Sequence, residues 1–99
     1  MINKEILEKD YIILNYSRYE MNKEDYIKED YLQLGFKELK DYSWVFYKQI
    51  DNYTVITCKY WDGNAVSIYK NNEYIFSDYW THNLDLEETL IPKMKEYIK

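Results

Sequence analysis

The chain is poor in the residues that punctuate and specialise most sequences. Its 99 residues include two glycines, one proline, one cysteine, one histidine, one arginine and one alanine. A lone Cys58 excludes an intrachain disulfide and any cysteine-based zinc cluster. With Gly35 and Gly63 as the only glycines, no Gly-rich loop can cradle a phosphate. A single Pro92 and the lack of any low-complexity tract leave no linker, so residues 1–99 are expected to form a single domain. No apolar run approaches the roughly 18–20 residues of a membrane-spanning helix. Near the N-terminus the longest is Tyr11-Ile12-Ile13-Leu14. The opening Met1-Ile2-Asn3-Lys4-Glu5 lacks the apolar centre of a signal peptide. These features set the expectation of a cytoplasmic chain without membrane contact.

Positive charge is scarce as well. Thirteen basic residues face 18 acidic ones, for a net charge of −5. The longest basic cluster is Lys93-Met94-Lys95, and Glu96 follows it. A nucleic-acid binder carries a basic stripe that displaces counterions from phosphates. Direct binding to DNA, RNA or anionic lipid is therefore disfavoured. An acidic surface suits a partner protein with a basic one.

What is present is apolar and aromatic. The chain is 46% hydrophobic and 19% aromatic, with 13 tyrosines. That is too apolar for a disordered chain. A domain of this size buries about two-thirds of its unfolded surface, enough for one core. Lys, Asn, Ile and Tyr together make up 44 of the 99 residues, and their codons are A/T-rich. This bias points to a low-GC bacterium or its phages and plasmids, so part of the tyrosine count reflects the genome.

Periodicity divides the chain into three parts and predicts an α+β fold. Ile2, Ile6, Leu7, Tyr11 and Leu14 recur at helical spacing, which predicts a helix over about 3–15. The β-rich stretch Tyr11 to Tyr16 also fits a strand. A second helix begins at the N-cap Asn22, with Glu24 and Asp25 in its first turn and Met21 and Tyr26 as a hydrophobic staple. Its stripe is Ile27, Tyr31 and Leu34, and Gly35 stops it. Ser43–Ile50, Tyr53–Trp61, Ala65–Lys70 and Glu73–Trp80 read as a four-stranded antiparallel meander, with Phe36–Leu39 a candidate fifth strand. Asp62-Gly63-Asn64 is the strongest hairpin signal, read as a turn of positive φ. A terminal helix over 83–98 starts with Asp85 and Glu88 at capping-box spacing and packs on the sheet through Leu86, Leu90, Met94 and Tyr97. Pro92 predicts a kink or short break in it.

The catalytic inventory is thin. Cys58 alternates with Ile56 and Tyr60 and reads as a small buried hydrophobe. His82 lies between Asp78 and Asp85, a weak metal pattern. The adjacent carboxylate pairs Glu24-Asp25, Glu29-Asp30 and Glu87-Glu88 diverge by about 100° on a helix and do not converge on a substrate. No catalytic, metal or cofactor residue is assigned. The aromatic sheet is more informative. Opposite Trp44, Phe46, Ile56 and Ile68, the alternation sets Val45, Tyr47, Tyr53, Val55, Trp61, Ser67, Tyr69, Ile75 and Tyr79. A solvated face alternates more cleanly than this. Either helices cover both faces, or a tyrosine-rich face binds something.

The expectation is a non-enzymatic, acidic protein-binding module. The class is an inhibitor or adaptor of phage or mobile-element type, directed at a host protein such as a nucleic-acid-binding defence protein. The candidate contact residues are Glu20, Glu24, Asp25, Glu29, Asp30, Tyr47, Tyr53, Trp61, Tyr69 and Tyr79. A self-associating structural protein, dimeric through the aromatic sheet face, is the first alternative. A small carboxylate-dependent enzyme is the second.

Overall fold

Two-residue turns decide the architecture. The computed structural model describes residues 2–16, 25–42, 44–60 and 62–98, without the side chains of residues 16, 25–27 and 60. Its helices are α1 (Lys4–Lys9), α2 (Tyr11–Tyr16) and α3 (Asp25–Gln33) before the sheet, and α4 (Leu90–Tyr97) after it. The strands are β1 (Lys37–Glu38), β2 (Val45–Ile50), β3 (Tyr53–Tyr60), β4 (Gly63–Lys70) and β5 (Glu73–Trp80). They form one antiparallel sheet in chain order, a five-stranded meander. The candidate fifth strand is thus present as the short edge β1.

Each two-residue turn shifts the side-chain parity. Ile50 pairs with Tyr53, so Tyr53, Val55 and Thr57 join the face of Trp44 and Phe46. Ile56 pairs with Tyr47 and Ser67 and lies on the opposite face. Simple alternation along the sequence puts Ile56 with Trp44, and Tyr53 and Val55 against it; the register reverses those three. Ile75 falls in a bulge, because Ile68 pairs with Phe76 while Tyr69 pairs with Tyr74. At the β4–β5 turn Asn71 and Asn72 both take positive φ, 52° and 66°, as a tight primed turn requires.

Helices cover both faces. On one, Ile2, Ile6, Ile12 and Ile13 of the N-terminal segment pack on Val45, Ile56, Cys58, Ala65 and Tyr69. On the other, Tyr31, Leu86 and Leu90 pack on Phe46, Val55, Val66 and Ile68. Tyr31 stacks on Phe46 with ring centroids 4.5 Å apart, and Tyr97 stacks on Phe76 at 4.3 Å. Gly35 ends α3 as expected. Its φ is 90°, and the Phe36 amide reaches back to the Tyr31 carbonyl at 3.2 Å. The Asn22 cap and the Met21 staple lie outside the described residues.

Three local expectations change. The N-terminal helix is broken at Asp10, whose backbone is extended (φ −68°, ψ 129°), and the stretch from Tyr11 is helix, not strand. The turn before β4 falls one residue earlier than the Asp-Gly motif indicated. Tyr60 pairs with Gly63, and Gly63 and Asn64 are strand residues. Gly63 does not take a positive φ. It is needed for close approach, because an added Cβ would lie 1.9 Å from the Trp80 carbonyl oxygen. The terminal helix begins at Leu90, placing Pro92 in its first turn, where a missing N–H costs nothing. The break precedes it as a wide turn, with the Ile91 amide bonded to the Leu86 carbonyl at 2.9 Å.

Two substitutions check this packing. Gly63→Ala drives a methyl into a main-chain oxygen and is expected to cost about 1–3 kcal/mol, lowering Tm by at least about 4 °C in a domain of this size. An unchanged Tm would refute the close approach. Leu90→Ala empties a fully buried site on α4 and is expected to cost about 2–5 kcal/mol in urea unfolding; a loss below about 0.5 kcal/mol would place α4 outside the core.

Candidate interaction surfaces

Asp10 is the most constrained polar group of the described residues. It ends α1 and caps α2, its Oδ1 accepting from the Ile12 and Ile13 amides at 3.0 and 3.3 Å. Its other oxygen accepts from the Tyr69 hydroxyl of β4. The residue is 1% exposed. Burial pushes its pKa above the ordinary 3.8, partly offset by the bonds from Tyr69 and the two amides. The Ser67 hydroxyl eases the charge as well, without closing a hydrogen bond of regular geometry. Burial, then the bond to Asp10, pushes the Tyr69 phenol up. Cys58 is also buried, and burial followed by the Asp10 charge raises its thiol.

Above Tyr69 a cavity of about 470 Å³ opens between α1 and β5. Tyr11, Tyr69 and Tyr74 line it, with Glu5 and Lys9 of α1 and Ser77 of β5. The Tyr69 and Tyr74 rings meet edge to face, 5.9 Å apart at 74°. A 2.6 Å hydrogen bond joins the Tyr74 hydroxyl to Ser77 Oγ. A second hollow of about 300 Å³ lies between Tyr11 and Tyr79, over Ile12 and Ala65.

The other sheet face carries an acidic notch. Asp30 and Gln33 of α3 face Asp85 and Glu87 across a hollow of about 290 Å³, with Leu34, Leu84 and Leu86 between them. No lysine or arginine is among these lining residues. The loop that brings Asp85 and Glu87 here is tied down from within. Asn64, fully buried on β4, donates to the Asn83 carbonyl at 2.9 Å and accepts from Thr89 at 3.2 Å. Asp85 accepts from the Glu87 amide at 2.9 Å, and Asn83 Oδ1 takes the Asp85 amide that a full capping box would give to Glu88.

The candidate residues do not gather in one patch. Glu29 and Asp30 are exposed on α3, and Asp30 lines the notch. Asp25 opens α3, while Glu20, Glu24 and Trp61 lie outside the described residues. Tyr79 is 56% exposed on the opposite side. Tyr47 is half-buried under the N-terminal helices. Tyr53 and Tyr69, each 7% exposed, are core residues, and Tyr69 also lines the cavity beside α1. The two-sided cover over the sheet is the reason.

Asp10, Asn64, Asp85 and Glu87 were absent from that candidate set. Asp10 two residues before Ile12-Ile13 has the signature of a helix cap. In the sequence Asp85 reads as a helix cap or a member of the weak His82 pattern, and Glu87 as one of a diverging carboxylate pair. His82 Nδ1 contacts the Asp62 carboxylate, and Cys58 is sealed in the core. Among the described residues no three His, Cys, Asp or Glu side chains group as metal ligands. Comparison with known proteins finds no matching family model, no matching curated protein and no matching solved structure.

A pH prediction follows from Asp10. Its raised native pKa means the folded state holds this proton more tightly than the unfolded chain. The stability it adds is complete below pH 3.8, the unfolded value, and is lost as pH rises through the native one. Asp10→Asn keeps the Oδ1 cap, offers Nδ2 to the Tyr69 oxygen and does not titrate. Its urea midpoint relative to wild type is expected to rise from pH 4 to pH 7; a parallel shift would refute the assignment. Asp10→Ala orphans the Tyr69 hydroxyl and two amides and is expected to cost about 1–3 kcal/mol.

Proposed function

We propose that this chain is a non-enzymatic protein-binding module, an inhibitor or adaptor of phage or mobile-element type that docks on a basic surface of a host protein. The observation that carries the reading is the notch. It sets Asp30 of α3 beside Asp85 and Glu87 over a leucine floor. Exposed Glu29 extends the acid along α3. Carboxylates around an apolar floor suit an Arg or Lys side chain, whose methylene stem lies on leucine while its head meets the acids. The net charge of −5 adds long-range attraction to such a partner. A nucleic-acid-binding host protein presents that kind of surface.

Self-association is the second reading, and β5 favours it. This edge strand has eight residues and exposes Tyr74, Ile75 and Tyr79. Two features oppose continuous pairing with a second copy. The bulge at Ile75 interrupts the register, and the Asp78 carboxylate takes the Tyr79 amide at 2.8 Å.

The test is affinity capture from a host lysate, identification of the bound protein by mass spectrometry, and kinetics with the purified pair. The association rate is expected to fall at least about tenfold between low and high salt. The double variant Asp30→Asn, Glu87→Gln is expected to weaken binding at low salt. Salt-independent binding, or full affinity in the double variant, would refute docking at the notch. A dimer mass in light scattering at high concentration would favour the second reading.

A further inference from the structure

We propose that the cavity between α1 and β5 is a binding site for a small alkylammonium cation of the quaternary type. The site is separate from the acidic notch, because it opens on the opposite sheet face. Three tyrosines supply its walls: Tyr11 from α2, Tyr69 from β4 and Tyr74 from β5. The faces of such rings carry negative potential and attract cations that shed water cheaply. A quaternary ammonium spreads its charge over methyl groups, so it fits aromatic walls better than a hydrated metal ion does.

The walls are built, not incidental. Tyr69 and Tyr74 stand at 74° to each other, with Tyr74 exposed beside Tyr11 and Tyr69 largely buried where it lines the cavity. Each ring is anchored by its hydroxyl, Tyr69 to the buried Asp10 and Tyr74 to Ser77. A phenol that donates to a carboxylate gains electron density, which strengthens its attraction for a cation. Glu5 and Lys9 also line the cavity, and their opposite charges leave it without a net preference for an anion. The cavity volume of about 470 Å³ falls within the range of small-molecule sites.

The experiment is an NMR titration of the full chain with choline. The control ligand is its neutral isostere, in which carbon replaces nitrogen. Choline is expected to shift the Tyr69 and Tyr74 ring resonances saturably, and the isostere to bind at least about tenfold more weakly. Tyr74→Ala, at a residue 59% exposed, is expected to lose binding at least about tenfold. Tyr74→Phe retains the ring and is expected to retain most of the affinity. Lys9→Ala removes the rim cation and is expected to tighten binding. Leu32→Ala, on the exposed side of α3, is expected to change nothing. Equal affinity for the neutral isostere would overturn the proposal in favour of a plain apolar hollow. Absent saturation, or full affinity in Tyr74→Ala, would overturn it outright.

Discussion

One buried carboxylate ties the N-terminal layer to the sheet. Asp10 sits between two helices too short to persist alone, since six-residue helices are far below the length that is stable in water. Its oxygens start the second helix and grip Tyr69 of β4. Ile6, Ile12 and Ile13 can then lie on Val45, Ile56 and Ala65. That grip adds a directional tie to the isoleucine packing that covers this sheet face. The carboxylate sits where its charge is disfavoured because its hydrogen bonds specify geometry.

The opposite face uses different means. There α3 and α4 contribute aromatic and leucine mass, centred on the Tyr31–Phe46 stack. The β1–β2 connection is held by Trp44, which takes a φ of 64° despite its bulk. Lys28 and Lys59 stand over its ring at 5.1 and 5.5 Å, and Lys28 also pairs with Glu38 at 3.2 Å. A strained aromatic covered by two ammonium groups closes the sheet at β1. The polar tie on this side is Asn64, which holds the loop that presents Asp85 and Glu87. Each candidate surface therefore rests on one buried polar residue of a different sheet face.

The element order was legible because it depends on local signals. Gly35 after Leu34, the Asn71-Asn72 turn and the β-branched run from Thr54 to Thr57 each act within a few residues. What escaped depends on partners distant in the chain. Asp10 can be read as a helix cap from its neighbours, but its burial depends on Tyr69, 59 residues away. Gly63 beside Asp62 imitates a turn glycine, yet its constraint is the Trp80 carbonyl across the sheet. The face of Ile56 follows from counting turn residues, since each two-residue connection shifts the alternation. The surfaces were less legible than the fold. Tyr53, Tyr69 and Tyr79 share one alternating pattern in the sequence, yet the register sends Tyr53 to the opposite face and the N-terminal helices bury Tyr69 but not Tyr79.

The bond between Asp10 and Tyr69 spans 59 residues of sequence. At ribosomal speeds of about 5–20 residues per second, its two halves are made roughly 3–12 seconds apart. Through that interval Ile6, Ile12 and Ile13 lack Ala65 and Tyr69 of β4 to pack on, while a hairpin closes within about 1–10 μs once its strands are made. The helices that precede the sheet thus wait for β4 before their layer can lock, and α4, made later still, completes the cover of the opposite face. A chain that ties helices made before the sheet to one of its later strands leaves apolar helices open to other company while it is being made.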